Sequence, residues 1–332
     1  MAAGIPPKKI VFSGVGKTRQ EMALGLEKGI HQFNVESAAE LEALSVVASG
    51  LGKSAPIALR VNPDIAAGGH PNISTGKQGD KFGVPWADAE PLYKRAQALP
   101  GIDIVGIDVH IGSQIGELEP MKIAFAKTVE LARKLMADGH AISRIDLGGG
   151  LGIPYTDKEA PASPSEYAAM VRRGIGDLPV QVILEPGRVI AGNAGIMITE
   201  MLYKKPAPDR TFLIVDAGMN DLMRPALYAA HHDVLPLKEP QTDAPIETYD
   251  IVGPICESTD KFASGRDLTP IEEGDRVAFL SSGAYGAVLS SQYNARPLVP
   301  EVLVDGEKYA IVRKRPTFEE MMQLEALPDW LT

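Results

Sequence analysis

Asp103-Ile104-Val105-Gly106-Ile107-Asp108-Val109-His110 is dominated by Ile and Val and stops on a histidine. It lacks the strict alternation of a half-buried strand and reads as a strand buried on both faces. Runs of the same texture occupy 9–13, 32–36, 57–62, 144–147 and 181–185. Helical patterns lie between them. Ser37, with Glu40 three residues on, predicts a capping box opening a helix over 37–48. Residues 121–138 are apolar at helical spacing and stop at Gly139, a C′ glycine. Repeated βα units around a parallel sheet follow.

The ends of the runs choose between two parallel architectures. They carry Glu36, Arg60 and Asn62, His110, the glycines 148–150, and Glu185 with Arg188. A (β/α)8 barrel gathers all its strand C-termini around one mouth. A doubly wound open sheet scatters them and keeps one site at its switch point. The expectation is therefore an alanine-racemase-like TIM barrel over 1–195, α/β in class. It is expected to be incomplete: about six βα units are legible where a closed barrel needs eight. The opening Ala2-Ala3-Gly4 resembles a helix end, so the two absent units are expected at the front. After Gly195 short alternating segments (196–203, 211–215, 248–252, 276–280, 301–304) predict a mostly antiparallel β domain over 196–332. A last helix is expected to open at Thr317, with Glu320 completing a capping box.

Composition narrows the function. The 332 residues carry a formal charge of −10 without a basic run, which argues against nucleic-acid binding. The only cysteine, Cys256, excludes an intrachain disulfide and fits a reducing compartment. No signal peptide or membrane-spanning run is present, so a cytoplasmic protein is expected.

Several motifs carry chemistry, each beside a plainer reading. In Asp146-Leu147-Gly148-Gly149-Gly150-Leu151-Gly152 the glycines can bare backbone N–H groups to a phosphate, or simply make a tight turn. The spacing is not that of a dinucleotide fingerprint. Glu185-Pro186-Gly187-Arg188 is either a structural ion pair or a carboxylate facing a heteroaromatic nitrogen, which it would keep protonated as part of an electron sink. His110, in His-Ile-Gly-Ser-Gln, shares the expected barrel mouth with both. No spacing supports a metal, and His231-His232 is not by itself a ligand pair. Cys256, within Gly-Pro-Ile-Cys-Glu-Ser-Thr-Asp, sits in loop-like surroundings where a thiol can exchange a proton. Tyr285, in Gly-Ala-Tyr-Gly, either bonds phosphate or packs.

In this order the motifs resemble the fold type III pyridoxal-phosphate decarboxylases, and most of all the diaminopimelate decarboxylase family. The resemblance runs from Ile10 to the C-terminus. It implies pyridoxal 5′-phosphate as cofactor and conversion of meso-2,6-diaminopimelate to L-lysine and CO2. It implies that His110 stacks on the cofactor ring and that Glu185 pairs with its nitrogen. Ser113, Gly148, Gly149, Gly150, Gly187, Arg188 and Tyr285 would surround the phosphate or lie beside it. Arg188, Arg224 and Tyr228, with Tyr285 nearby, would hold the substrate's distal carboxylate. Arg224 and Tyr228 are four apart and share a helical face. Cys256 would protonate the α-carbon, and Glu257 would read the distal ammonium. The resemblance further implies a homodimer with shared active sites, with Lys81 and Asp260 paired across the interface. An arginine and an acid together suit a zwitterionic distal end, which favours diaminopimelate over another basic amino acid.

Two departures accompany the resemblance. Thr259 stands where the family usually has glycine. The family's Schiff-base lysine lies in an Ala-x-Lys-Ala segment at the end of the first barrel strand, and this sequence has no such segment. Lys17 is the only lysine near an early strand end. The chain is accordingly expected to be N-terminally truncated and to turn over little alone. A non-catalytic, partner-binding fragment is the alternative; a racemase of the same barrel class is disfavoured by Cys256-Glu257.

Overall fold

The computed structural model describes residues 1–66, 75–76, 79–239 and 243–331. The chain divides into two units: residues 1–153 with 160–187, and 154–159 with 188–332. Residues 188–195, expected with the barrel, group with the second unit. The segment 154–159 joins them there, because Tyr155 packs against Arg188, Arg224 and His232.

The first unit contains β1 (Val11–Phe12), α1 (Arg19–Lys28), β2 (Gln32–Val35), α2 (Ala38–Gly50), β3 (Ala55–Asn62), β4 (Val84–Pro85), α3 (Ala89–Gln97), β5 (Ile102–Asp108), α4 (Glu119–Ala137), β6 (Arg144–Asp146), α5 (Pro164–Ile175) and β7 (Gln181–Ile183). All strand pairs are parallel, in the order β1-β2-β3-β5-β6-β7, with the short β4 on β3. The order follows the chain and never reverses, so a doubly wound sheet is excluded. The sheet curls: Ser13, just after β1, donates to Glu185, just after β7, at 2.8 Å, although these strands lie at opposite ends of the order. This is the expected barrel architecture, with six main parallel strands among the described residues. Phe33, Ile57, Leu59, Ile107 and Ile145 are fully buried, as the continuous apolar runs require.

Local signals act largely as read, with one exception. Ser37 caps α2 by accepting from the Glu40 N–H at 3.1 Å, but the reciprocal half of the box is missing. The Glu40 carboxylate instead accepts from the Glu36 N–H at 3.0 Å and from Lys17 Nζ at 2.7 Å. A buried ammonium outcompetes a cap. Lys17 also donates to the carbonyls of Gly14 and Asn34, both at 2.7 Å, so its three N–H groups are committed. Its side chain is 1% exposed.

The second unit begins with α6 (Arg188–Ala191) and contains β8 (Met197–Pro206), β9 (Thr211–Val215), α7 (Arg224–Tyr228), β10 (Val234–Pro236), β11 (Glu247–Val252), β12 (Lys261–Leu268), β13 (Arg276–Phe279), β14 (Glu301–Asp305), β15 (Lys308–Arg313) and α8 (Phe318–Met322). Its main sheet runs β10-β13-β8-β9-β11-β12, antiparallel except for β9 beside β11. Met201, Leu213, Val215, Tyr249, Ile251, Phe262, Val277 and Phe279 form its core. The hairpin β14–β15 stands as a separate sheet. Thr317 caps α8 with Glu320 in a complete box. Among the described residues no helix is long and apolar enough to cross a membrane.

The Lys17–Glu40 pair tests this account of the first unit. Lys17→Met strands a buried carboxylate and is expected to cost about 3 kcal/mol in urea unfolding. Adding Glu40→Gln should recover most of that loss. A double variant no more stable than the single one would remove the ion pair from the explanation.

Candidate functional site

In the first unit, the strand ends place polar side chains where apolar strands finish. Glu185 Oε1 accepts from Ser13 Oγ at 2.8 Å and from Asn34 Nδ2 at 3.4 Å. Asn34 Nδ2 also reaches Asp146 Oδ2 at 3.1 Å. Gln32 Nε2 donates to Asn34 Oδ1 at 2.8 Å and so fixes which way that amide faces. Burial, then the neighbouring Asp146 charge, pushes the Glu185 carboxyl up to about 6. Burial raises Asp146 as well. Asp108 is pushed well above the carboxylate range by burial and by Asp146, and its Oδ1 has no partner among the described residues. Arg60 pairs with Glu36 at 3.1 Å, with its guanidinium 5.0 Å from the Phe82 ring centre. Burial and mutual repulsion thus push these carboxyls toward the protonated form.

His110 sits beside them as a neutral base. Its Nδ1 accepts from the Gly149 N–H at 3.0 Å, which leaves the ring hydrogen on Nε2. Burial, then the Arg60 charge, lowers it to about 4. The glycine run is needed here for close approach. A Cβ on Gly148 would lie 2.6 Å from His110 Nδ1, and one on Gly149 would run into the Glu185 carbonyl. The Gly148 N–H goes to Asp146 Oδ1 at 3.0 Å and the Gly149 N–H to His110, so both are used within the site. The loop carrying half-buried Ser113 is zipped to the glycine run by Ile115 N–H to Gly150 O and Gly152 N–H to Ile115 O, both at 2.9 Å. Lys17 is committed elsewhere, as described above, and does not supply an amine to this group.

The second unit holds a cationic cluster around Tyr155. Arg188 Nη1 donates to the Tyr155 hydroxyl at 2.5 Å, and the Arg188 guanidinium lies 4.7 Å from the Tyr285 ring centre. The Arg224 guanidinium lies 4.4 Å from the Tyr155 ring centre. Arg224 Nη1 donates to His232 Nε2 at 2.7 Å, and His232 Nδ1 donates to the Leu280 carbonyl at 2.7 Å. Burial holds His232 at about 4, so it stays an acceptor. Arg224 is 6% exposed, and among the described residues no carboxylate reaches it. A buried cation without a carboxylate suits an anionic ligand. Tyr228 shares α7 with Arg224, as expected. Tyr285 holds φ 56°, a left-handed conformation on its glycine-flanked turn.

Cys256 and Glu257 are exposed on a loop of the same unit. Asp260 organises that loop: its oxygens accept from the Met219 and Ile255 N–H groups, both at 2.6 Å, and the residue is 4% exposed. Within the chain these two amides are the partners of the Asp260 carboxylate. Lys81 is exposed, its ammonium 5.3 Å from the Phe82 ring centre.

Sequence reasoning missed Ser13, Asn34, Asp108, Asp146, Tyr155 and His232. The first four had a usable signal: each is polar within or at the end of a buried apolar run. Tyr155 had none, because only packing shows that 154–159 leaves the first unit.

The neutral His110 gives a pH prediction. Its folded pKa lies below the unfolded value of about 6.5, so the unfolded chain takes the proton first. Stability is then lost as pH falls below about 6.5 and levels off below about 4, by up to about 3 kcal/mol. Urea titrations at pH 7 and 4 should show His110→Gln spared that part of the loss. An unchanged difference between parent and variant at the two pH values would contradict the assignment.

Comparison with known proteins matches the geometry. Residues 1–192 match the family model for the pyridoxal-dependent decarboxylase, pyridoxal binding domain. The diaminopimelate decarboxylase of Vibrio cholerae is 48% identical over 98% of this chain and 78% of the relative. That of Pseudomonas fluorescens is 49% identical over the same shares. The crystal structure of diaminopimelate decarboxylase from Helicobacter pylori complexed with L-lysine superposes with a TM-score of 0.93 at 39% identity, covering 97% of this chain and 80% of that one. The M. jannaschii enzyme in co-complex with L-lysine does so with a TM-score of 0.93 at 34% identity, covering 100% and 77%. The chain belongs to the diaminopimelate decarboxylases, within the pyridoxal-dependent decarboxylase family.

Proposed function

We propose that the chain decarboxylates meso-2,6-diaminopimelate to L-lysine and CO2 with pyridoxal 5′-phosphate. The observation that carries this reading is the pairing of chemistries along one chain. One group is a buried acid at about 6 beside a neutral imidazole; the other is a pair of arginines in which Arg224 has no carboxylate within reach among the described residues. The residues fit the cofactor. Glu185, its carboxyl pushed up to about 6, can share a proton with a pyridine nitrogen, and His110, held by Gly149, offers a neutral ring for stacking. Ser113, Gly150, Gly187 and Tyr285 are the candidates for its phosphate, while Gly148 and Gly149 fix the imidazole. When bound, the cofactor supplies an electron sink for the pair left on the α-carbon as CO2 departs.

The chain's own residues do the rest. Asn34 and Ser13 hold the Glu185 carboxyl in place, and Asp146 keeps its proton available near neutral pH. Arg188 and Arg224 bind the distal carboxylate, with Tyr155 and His232 restricting both guanidinium groups. Glu257 accepts from the distal ammonium, and the Cys256 thiol delivers a proton to the α-carbon. The exposure of Cys256, Glu257 and Lys81 supports their presentation to a second copy in a homodimer. A single exposed thiol suits the reducing cytoplasm.

The test is amino-acid analysis after incubation with cofactor: L-lysine release from meso-diaminopimelate, beyond that with cofactor alone, and slower consumption of ornithine or arginine. Equal or faster use of ornithine or arginine would overturn the substrate assignment, and no consumption at all would overturn the catalytic one. Calorimetry tests the carboxylate site without turnover, since L-lysine keeps the distal carboxylate that cadaverine lacks. Arg224→Ala should weaken L-lysine binding about 10- to 100-fold, the loss of a charge-assisted bond, with cadaverine little affected. Cys256→Ala should slow lysine release far more than it weakens cofactor binding; equal loss of both would remove the proton-donor role.

A further inference from the structure

Residues 293–295 form a single tight turn whose backbone is unusual. Asn294 and Ala295 both have left-handed φ angles, 56° and 53°. Asparagine tolerates this region, but alanine does so at a cost of about 1–2 kcal/mol. Two such residues in succession are held by what surrounds them. The turn meets the Cys256 loop through two consecutive side chains. Tyr293 donates its hydroxyl to Glu257 Oε2 at 2.8 Å. Asn294 Nδ2 donates to Cys256 Sγ at 3.4 Å. From the other side, Thr259 Oγ1 donates to Glu257 Oε1 at 2.6 Å. Both carboxylate oxygens of Glu257 are thus held, on a loop that Asp260 already braces from beneath.

We propose that Tyr293, Asn294 and Thr259 are positioning residues for the Cys256–Glu257 pair: the Asn294 amide orients the thiol, and the two hydroxyls fix the carboxylate as a ready acceptor for an ammonium group. The inference rests on the functional reading for what the pair acts upon. Its physical content is local. An amide N–H aimed at sulfur sets the direction in which the thiol presents its proton. Two O–H donors hold the Glu257 carboxyl below the usual carboxylate range, Thr259 first and Tyr293 second. They also stop an exposed side chain from sampling rotamers that an incoming ammonium would otherwise have to select. Thr259 deepens the point. A glycine there offers no hydroxyl, so this chain secures Glu257 with a donor that such a loop would lack.

The single cysteine makes a direct test possible, because every thiol-reactive probe reports on Cys256 alone. Asn294→Gly removes the amide while keeping the left-handed backbone free of strain, and Tyr293→Phe and Thr259→Val remove one donor each from exposed positions. At pH 7 iodoacetamide should alkylate Asn294→Gly about two- to tenfold more slowly than the parent, the worth of one modest hydrogen bond. Cationic and anionic methanethiosulfonates read the neighbouring carboxylate. The parent should favour the cationic reagent, and the Tyr293→Phe/Thr259→Val double variant should lose about threefold of that preference, as expected when a unit charge near 4 Å is released into water. Where lysine release is measurable, the double variant should raise KM with kcat little changed. Unchanged alkylation in Asn294→Gly together with an unchanged charge preference in the double variant would overturn the proposal, whatever the turnover. Absent lysine release with altered reactivity would instead sink the functional reading and leave the positioning role standing.

Discussion

The first unit depends on one contact between its extremes. Ser13 follows the strand at one end of the sheet and Glu185 the strand at the other, and a 2.8 Å hydrogen bond joins them. Asn34 reinforces it from β2 by reaching Glu185 and Asp146. Strand twist curls the sheet, and this bond fastens first and last strand ends where they meet. With it, Asp108, Asp146 and Glu185 are crowded into a low-dielectric space near Arg60, and their carboxyls are pushed toward the protonated form. The crowding of the acids follows from the curvature.

The second unit solves the opposite electrostatic problem. It holds Arg188 and Arg224 around one phenol without placing a carboxylate within reach of Arg224 among the described residues. Aromatic faces and a neutral histidine take that place. They are weak partners, which restrain direction while leaving most of the attraction for an outside anion. His232 accepts from Arg224 only while it lacks a proton on Nε2, and burial keeps it so.

The strand and helix pattern was legible because βα repetition writes itself in continuous apolar runs and caps. All six runs of the first part became strands within a few residues of their expected ends. The site was legible where function and backbone geometry coincide, as at Gly149, whose missing side chain admits the Glu185 carbonyl. It was not legible where a role depends on who arrives from elsewhere. Glu40 looked like half of a capping box until Lys17 claimed it. Asp260 was expected only as a partner for Lys81 across an interface, and its hold on two amides of its own unit was not legible. Tyr155 is one ring in a loop, and only packing makes it the floor beneath two arginines.

The knot at Ser13, Asn34, Asp146 and Glu185 also constrains how such a protein can drift. Asn34 touches all three of the others, so no single replacement at that position can satisfy a hydroxyl and two acids at once. Changes there are tolerable only in concert, as neighbours sharing one network are not independent. The four positions should therefore behave as one inherited character, spread over 173 residues of chain yet varying together or not at all.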